Sequence, residues 1–233
     1  MKQLALDIGL ATGPTLSNFF AGPNVAALQH LQLWVGEKAL ASTRSPVPTY
    51  LWGPTGSGKT HLLKAVREAL REQGASSQHG VGWMDASTLE PPEYNEAWGV
   101  VLLDDVHLYT AQQQQAAFNW FVNAQTQQRG VLAAGEWPPT ELKLREDLRT
   151  RLGWGHVHGL QVLDESARRG VLRRAADARG VFLSDEVMDF MLTRFSRDLG
   201  SLMELLELLD GYALQSKRAI TIPLIKAMMD DTP

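Results

Sequence analysis

The sequence predicts an α/β chain in which a parallel sheet with flanking helices is followed by a small all-helical segment. Three observations support this. Short apolar runs alternate with amphipathic stretches as far as about residue 163, as in parallel sheets joined by crossover helices. Val100-Val101-Leu102-Leu103 is apolar without alternation, the mark of a strand covered on both faces. Beyond Leu163 only helical periodicity remains, with Asp164 and Ser184 as caps and Gly180 as a stop.

The elements follow in order. Residues 1–15, with Gly9, Gly13 and Pro14 and no sustained period, read as a flexible leader. Asn24 is placed to cap a helix carrying Val25, Leu28, Leu31 and Leu33 to Val35, and Pro46 and Pro48 end the connection after it. Thr49-Tyr50-Leu51-Trp52 is a β-prone run, and Thr60 to Glu72 a helix with Leu62, Leu63, Val66 and Leu70 on its buried side. Strands are expected at 81–85, 100–103, 131–134 and 156–160, with a helix at 112–127. Helices are expected at 164–178, 184–195, 198–214 and 222–229. The division is therefore 1–15 leader, 16–163 α/β domain and 164–233 helical domain.

Composition narrows the function. A length of 233 residues with 44% hydrophobic and 21% charged residues is ordinary for a globular protein with a sizeable core. A net charge of -4 argues against strong direct binding of double-stranded DNA by bulk electrostatics. The absence of cysteine excludes disulfides, thiolate metal sites and cysteine nucleophiles. No apolar run reaches membrane-spanning length and no signal peptide is visible, so a cytoplasmic protein without membrane contact is expected.

The strongest chemical signal is Gly53-Pro54-Thr55-Gly56-Ser57-Gly58-Lys59-Thr60, set between strand and helix. Its glycines let successive backbone N–H groups face phosphate oxygens, Lys59 reaches the outer phosphates, and Thr60 offers a hydroxyl to Mg²⁺. This is a P-loop, and it implies a bound nucleotide. Asp104 and Asp105 end the continuous apolar strand, where open parallel sheets place their ligand crevice. Asp104 is suited to hold Mg²⁺ and Asp105 to orient or polarise an attacking water. In Asp147-Leu148-Arg149-Thr150-Arg151-Leu152-Gly153-Trp154-Gly155, two arginines stand at i and i+2 and so point in different directions on a short helix. An outward guanidinium there suits a clamp on another molecule's phosphate.

Taken together, Leu16 to Met229 resemble the AAA+ module of the DnaA-like family, and in length its shorter, Hda-like regulatory branch. The residues that carry the resemblance are Leu16-Ser17-Asn18-Phe19-Phe20-Ala21-Gly22-Pro23-Asn24, the loop ending Gly58-Lys59-Thr60-His61-Leu62, the Asp104-Asp105 pair and the segment 149–155. The resemblance implies a P-loop AAA+ sheet with flanking helices and an all-α lid. It also implies ADP or ATP with Mg²⁺ as cofactors, Phe20 in the adenine pocket and Arg151 as an arginine finger. Its partners would be the initiator DnaA and the replicative sliding clamp, the latter docked through Gln3, Leu4, Leu6 and Ile8. A homodimer is left open.

Two departures weaken the case for vigorous hydrolysis in the chain's own pocket. Gly200 stands where the family's sensor 2 arginine is expected, with Arg197 nearly a turn earlier, and Gly135 stands where a polar sensor 1 residue is expected. A weak intrinsic ATPase that activates a partner's ATPase is therefore the expected behaviour. The alternative is a helicase-loader type ATPase acting on single-stranded DNA or helicase; a small-molecule kinase lacks a visible acceptor site. The run Arg168, Arg169, Arg173 and Arg174 is flanked by Asp164, Glu165 and Asp177 and reads as a solvated mixed-charge helix. His107, His156 and His158 lack metal-ligand spacing and read as structural.

Overall fold

A computed structural model of the chain describes residues 13–36, 45–74, 80–195, 199–216 and 218–231. The residues proposed for clamp docking, Gln3, Leu4, Leu6 and Ile8, lie outside these, as does Arg197. The chain divides into two compact units. One comprises Met1–Phe19, Val25–Trp52 and Lys59–Gly159; the other comprises Phe20–Asn24, Gly53–Gly58 and Leu160–Pro233.

The first unit is built on a five-stranded sheet in the order β2-β3-β4-β1-β5 among the described residues. Its strands are β1 (Thr49–Trp52), β2 (Gly80–Met84), β3 (Trp98–Leu103), β4 (Gly130–Gly135) and β5 (His156–Gly159). All neighbouring pairs are parallel, as the alternation of strands and helices requires. β4 and the second half of β3 are buried along their whole length, which is why neither alternates in sequence. The helices are α1 (Val25–Gly36), α2 (Lys59–Gly74), α3 (Ala111–Thr126) and α4 (Glu146–Leu152). Leu62, Leu63, Val66 and Leu70 form the buried side of α2, as the 3.6-residue period predicts. The other face of the sheet holds Trp120, Phe121, Ala117 and Ala124 of α3 against Val101, Leu103, Val131 and Ala133.

A device at the start of α3 escaped the sequence reading. Thr110 and Gln113 form a reciprocal capping box. The Gln113 side chain, 2% exposed, also donates to the carbonyls of Asp85, Ala86 and Thr88 at 3.3, 3.2 and 2.9 Å. One buried amide thereby closes the α3 terminus and ties down the turn after β2.

The helix expected after Asn24 forms as α1; packing selects its buried face, and the expected cap is corrected. Its buried face is Ala27, Leu31, Trp34 and Val35, whereas Leu33 is 72% and Val25 46% exposed. The apolar cluster in the sequence was wider than the stripe that contacts the sheet. Nor does the Asn24 side chain serve as a helix cap. It accepts from the Gln161 backbone N–H at 2.8 Å and donates to the Gln161 carbonyl at 2.9 Å, within the second unit.

That second unit carries four helices among its described residues: α5 (Glu165–Ala178), α6 (Asp185–Arg194), α7 (Leu199–Ser216) and α8 (Ile222–Asp231). Asp164 and Ser184 cap as predicted, accepting from Ala167 N at 2.7 Å and Val187 N at 3.3 Å. Gly180 takes φ +69° after α5, a left-handed stop. The core is Leu172, Met188, Met191, Leu202, Leu206, Leu209, Leu224 and Ile225, interdigitated from all four helices. Among the described residues no helix is long and apolar enough to cross a membrane.

Candidate functional site

β1 leads through residues 53–58 directly into α2, so the glycine loop occupies the strand-to-helix turn its motif demands. Gly56 and Gly58 adopt φ of +81° and +92°, and a Cβ on Gly53 would lie 2.4 Å from the Leu160 carbonyl oxygen. A side chain is disfavoured at Gly56 and Gly58 by backbone conformation and excluded at Gly53 by space. The Ser57 hydroxyl is buried within it without a hydrogen-bond partner among the described residues. A glycine turn of this shape opening a helix, with a buried hydroxyl inside it, suits an anion.

At the C-terminal edge of the sheet, the first unit gathers a charged cluster. Lys59 and Asp104 are 6% and 2% exposed. Burial lowers the pKa of Lys59, while the charges of Asp105, Asp104 and Glu136 oppose that shift. Burial pushes Asp104 up to about 6, helped by the like charge of Asp105; a hydrogen bond from the Thr60 hydroxyl pulls the other way. Thr60 and Asp104, which the sequence assigned to a cation, are thus in direct contact. A buried carboxylate made costly to ionise, beside a hydroxyl, is a donor set that an octahedral oxygen-seeking cation such as Mg²⁺ stabilises. Asp105 adopts left-handed φ 49° and ψ 42°, an uncommon conformation for a side-chain-bearing residue, with its N–H donating to Asp104 Oδ1 at 3.0 Å.

Glu136 escaped the sequence reading, which looked instead at Gly135. It follows β4, next to β3 in the sheet, and its charge reaches Lys59. Its Oε2 lies 3.4 Å from His107 Nε2. A carboxylate directly after the strand beside the Asp104–Asp105 strand was a usable signal, because the ligand crevice of a parallel sheet lies outside its strand C-termini.

Arg151 lies on α4, whose Leu148 and Leu152 face the core at i and i+4. Its guanidinium sits over the rings of Phe118 and Phe121, 5.2 and 5.9 Å from their centroids. It lines a surface depression with Asp147, Thr150 and Trp154, the last 69% exposed. Asp147 is engaged by Arg145 through its Nε at 2.6 Å and Nη2 at 2.7 Å.

Phe20 lies in the second unit, where the Arg174 guanidinium stands 4.5 Å from its ring centroid. Gly22 beside it has φ +46°, and a Cβ there would meet Leu163 at 2.8 Å. Two more of the basic run are engaged within the helical unit: Arg169 pairs with Asp185 and Asp189, and Arg173 with Asp185, while Arg168 is buried. His156 and His158 pack their rings 4.6 and 4.9 Å from that of His30, which burial, helped by their charges, pushes down to about 4. No group of side chains suited to a metal ion with three such ligands occurs among the described residues.

Parallel strands in this order, a glycine loop after β1, paired carboxylates after β3 and a four-helix lid define an AAA+ module. Comparison with known proteins agrees. The family model described as "Hda, lid domain" matches residues 164–229. An uncharacterized protein of Haemophilus influenzae is 33% identical over 241 residues, covering 98% of this chain and 99% of its own. The chain belongs to the Hda/DnaA-like AAA+ proteins.

Solved structures share the fold. Domain III of the Thermotoga maritima replication initiation protein DnaA superposes with a TM-score of 0.72 at 20% identity, covering 100% of both chains. AMPPCP-bound DnaA from Aquifex aeolicus gives 0.64 at 23% identity, over 84% of this chain and 64% of that one. The Thermotoga maritima RuvB Holliday junction branch migration motor gives 0.62 at 18% identity, over 94% and 72%.

Proposed function

We propose that this chain regulates the initiation of chromosome replication by stimulating hydrolysis of ATP bound to a DnaA-type initiator, with Arg151 as the arginine finger. The observation that carries the reading is the seat of Arg151. A guanidinium braced over Phe118 and Phe121 loses little freedom on contacting a phosphate, and it lines a surface depression beside an exposed tryptophan. A finger given in trans contributes about 10³- to 10⁵-fold in rate. Membership of the Hda/DnaA-like family supports DnaA as the partner.

In this reading the chain also binds an adenine nucleotide. Backbone N–H groups of the glycine loop and the Lys59 ammonium hold the phosphates, and Phe20 contacts the base. Thr60 and Asp104 hold Mg²⁺, which when bound neutralises phosphate charge. Asp105 orients water. Gln3, Leu4, Leu6 and Ile8 dock on the sliding clamp, placing the regulator where replication has begun; the sequence pattern alone supports this part.

Purified chain, clamp-loaded DNA and ATP-loaded DnaA test the proposal. Arg151→Ala should abolish the stimulated hydrolysis while nucleotide binding by this chain persists. Stimulation by that variant equal to wild type sinks the assignment. Stimulation that survives Gln3→Ala with Leu6→Ala, at unchanged clamp affinity, removes the clamp from the scheme.

A further inference from the structure

His156 and His158 stand at i and i+2 on β5, so their side chains share one face of that strand. Against them α1 sets His30, whose ring centroid lies 4.6 Å from that of His156 and 4.9 Å from that of His158. His30 Nε2 and the buried Thr49 hydroxyl of β1 share a hydrogen bond of 2.8 Å. His156 is exposed, whereas His30 and His158 are half-buried, and His158 Nε2 is buried without a hydrogen-bond partner among the described residues. A bare ring nitrogen is tolerated in such a place; a protonated one, bringing an N–H and a positive charge to a site without an acceptor, is costly.

Among the described residues no opposite charge acts on this group. α1, β1 and β5 contain no aspartate, glutamate, lysine or arginine. The other titratable side chain on them, Tyr50, is buried, donates its hydroxyl to the Trp137 carbonyl at 2.8 Å and is kept protonated by that burial. α2 also packs on α1 and carries Lys59, His61, Lys64, Arg67, Glu68, Arg71 and Glu72, yet the charges that act on His30 are those of His158 and His156. Burial, helped by those two charges, pushes His30 down to about 4, and burial with the charge of His156 lowers His158. Each ring is therefore most stable neutral, and each proton added makes the next harder to accept.

From this geometry we propose that His30, His156 and His158 form a proton-operated latch between α1 and the edge strand β5: the neutral rings pack together and hold the helix on the strand, and protonation of the cluster releases it. β5 ends the sheet order, so release there leaves the pairing of β3, β4 and β1 in place and the opening is local. The neutral rings are the closed form. His30 has its ordinary value of 6.5 when released and about 4 when packed, so the latch is at full strength above about pH 6.5 and weakens as pH falls toward about 4. It responds to acidification and is indifferent to a rise in pH above neutrality.

Amide hydrogen exchange of the full chain, read peptide by peptide at about pH 7.5 and about pH 5 and corrected for the intrinsic pH dependence of exchange, tests the latch. Relative to α3 and β4, the amides of α1 and β5 should lose at least about tenfold in protection at the lower pH. His30→Gln keeps a polar partner for Thr49 but takes no proton, and it should hold that change within about threefold. His156→Gln, at an exposed ring, gives a second arm that the fold does not need: by removing a like charge it should raise the His30 midpoint read by proton NMR and reduce the loss of protection. Protection of α1 that survives at about pH 5 in the wild type overturns the proposal. So does a wild-type pH response in a folded His30→Gln chain, or a His30 midpoint that His156→Gln leaves unmoved.

Discussion

The sheet unit and the helical unit place their polar groups in opposite ways. In the helical unit the core is leucine, isoleucine, valine and methionine; hydroxyl and carboxylate caps close α5 and α6, and ion pairs run along the surface. The sheet unit instead buries Lys59 and Asp104 at one end, holds Asp105 in a left-handed conformation and leaves His107 Nδ1 without a hydrogen-bond partner among the described residues. Each of those features costs stability in the absence of a ligand. In the proposed function, the residues of this second set would meet a charged ligand.

Substitutions should therefore act with opposite sign in the two units. Leu206→Ala, at a fully buried position among four helices, should cost about 2–5 kcal/mol by opening a cavity. Chemical denaturation read by circular dichroism checks this; a loss below about 1 kcal/mol would show a loosely packed lid.

Asp104→Asn should do the reverse. The folded-state pKa of Asp104 is raised from 3.8 to about 6, so its protonated form favours folding. That contribution is present below about pH 4 and is lost as pH rises through about 6, leaving the wild type roughly 3 kcal/mol less stable at neutral pH than a chain without the shift. The asparagine variant should gain up to about that amount at pH 7 and nothing near pH 4. If the proposed Mg²⁺ site is right, it should also lose the stabilisation that Mg²⁺ with nucleotide would give the wild type. Melting curves between pH 4 and 8, with and without Mg²⁺-ADP, test both; a destabilised variant at pH 7 would break the comparison.

The smallest effect sharpens it. Ser184→Ala removes one cap from α6 and should cost about 1 kcal/mol at every pH, with nucleotide affinity unchanged. A change in affinity would show that helical capping and the pocket are not separable.

Much of this architecture was legible in the sequence. The buried strand 100–103, the loop between β1 and α2 and the caps at Asp164 and Ser184 all depend on neighbours in sequence, and local pattern reported them correctly. Which apolar residues of α1 are buried was not legible, because burial is set by what a helix packs on, and Leu33 and Val25 stay exposed. Asn24 was misassigned for a related reason: its side chain is taken up by the backbone of Gln161, 137 residues away in sequence.

By itself, the sequence determined the class of fold, the phosphate loop, the carboxylate pair and the arginine segment. Each is a run of residues whose chemistry and spacing lie within a turn or a strand. Tertiary structure decided which polar groups face one another. It brought Thr60 to Asp104, Glu136 to His107, and Arg151 onto Phe118 and Phe121, because the parallel order β3-β4-β1 and the packing of α4 on α3 join segments that sequence keeps apart. Strand order is a property of the closed sheet and is written in no single segment, so the support beneath the site became visible only once the sheet was assembled.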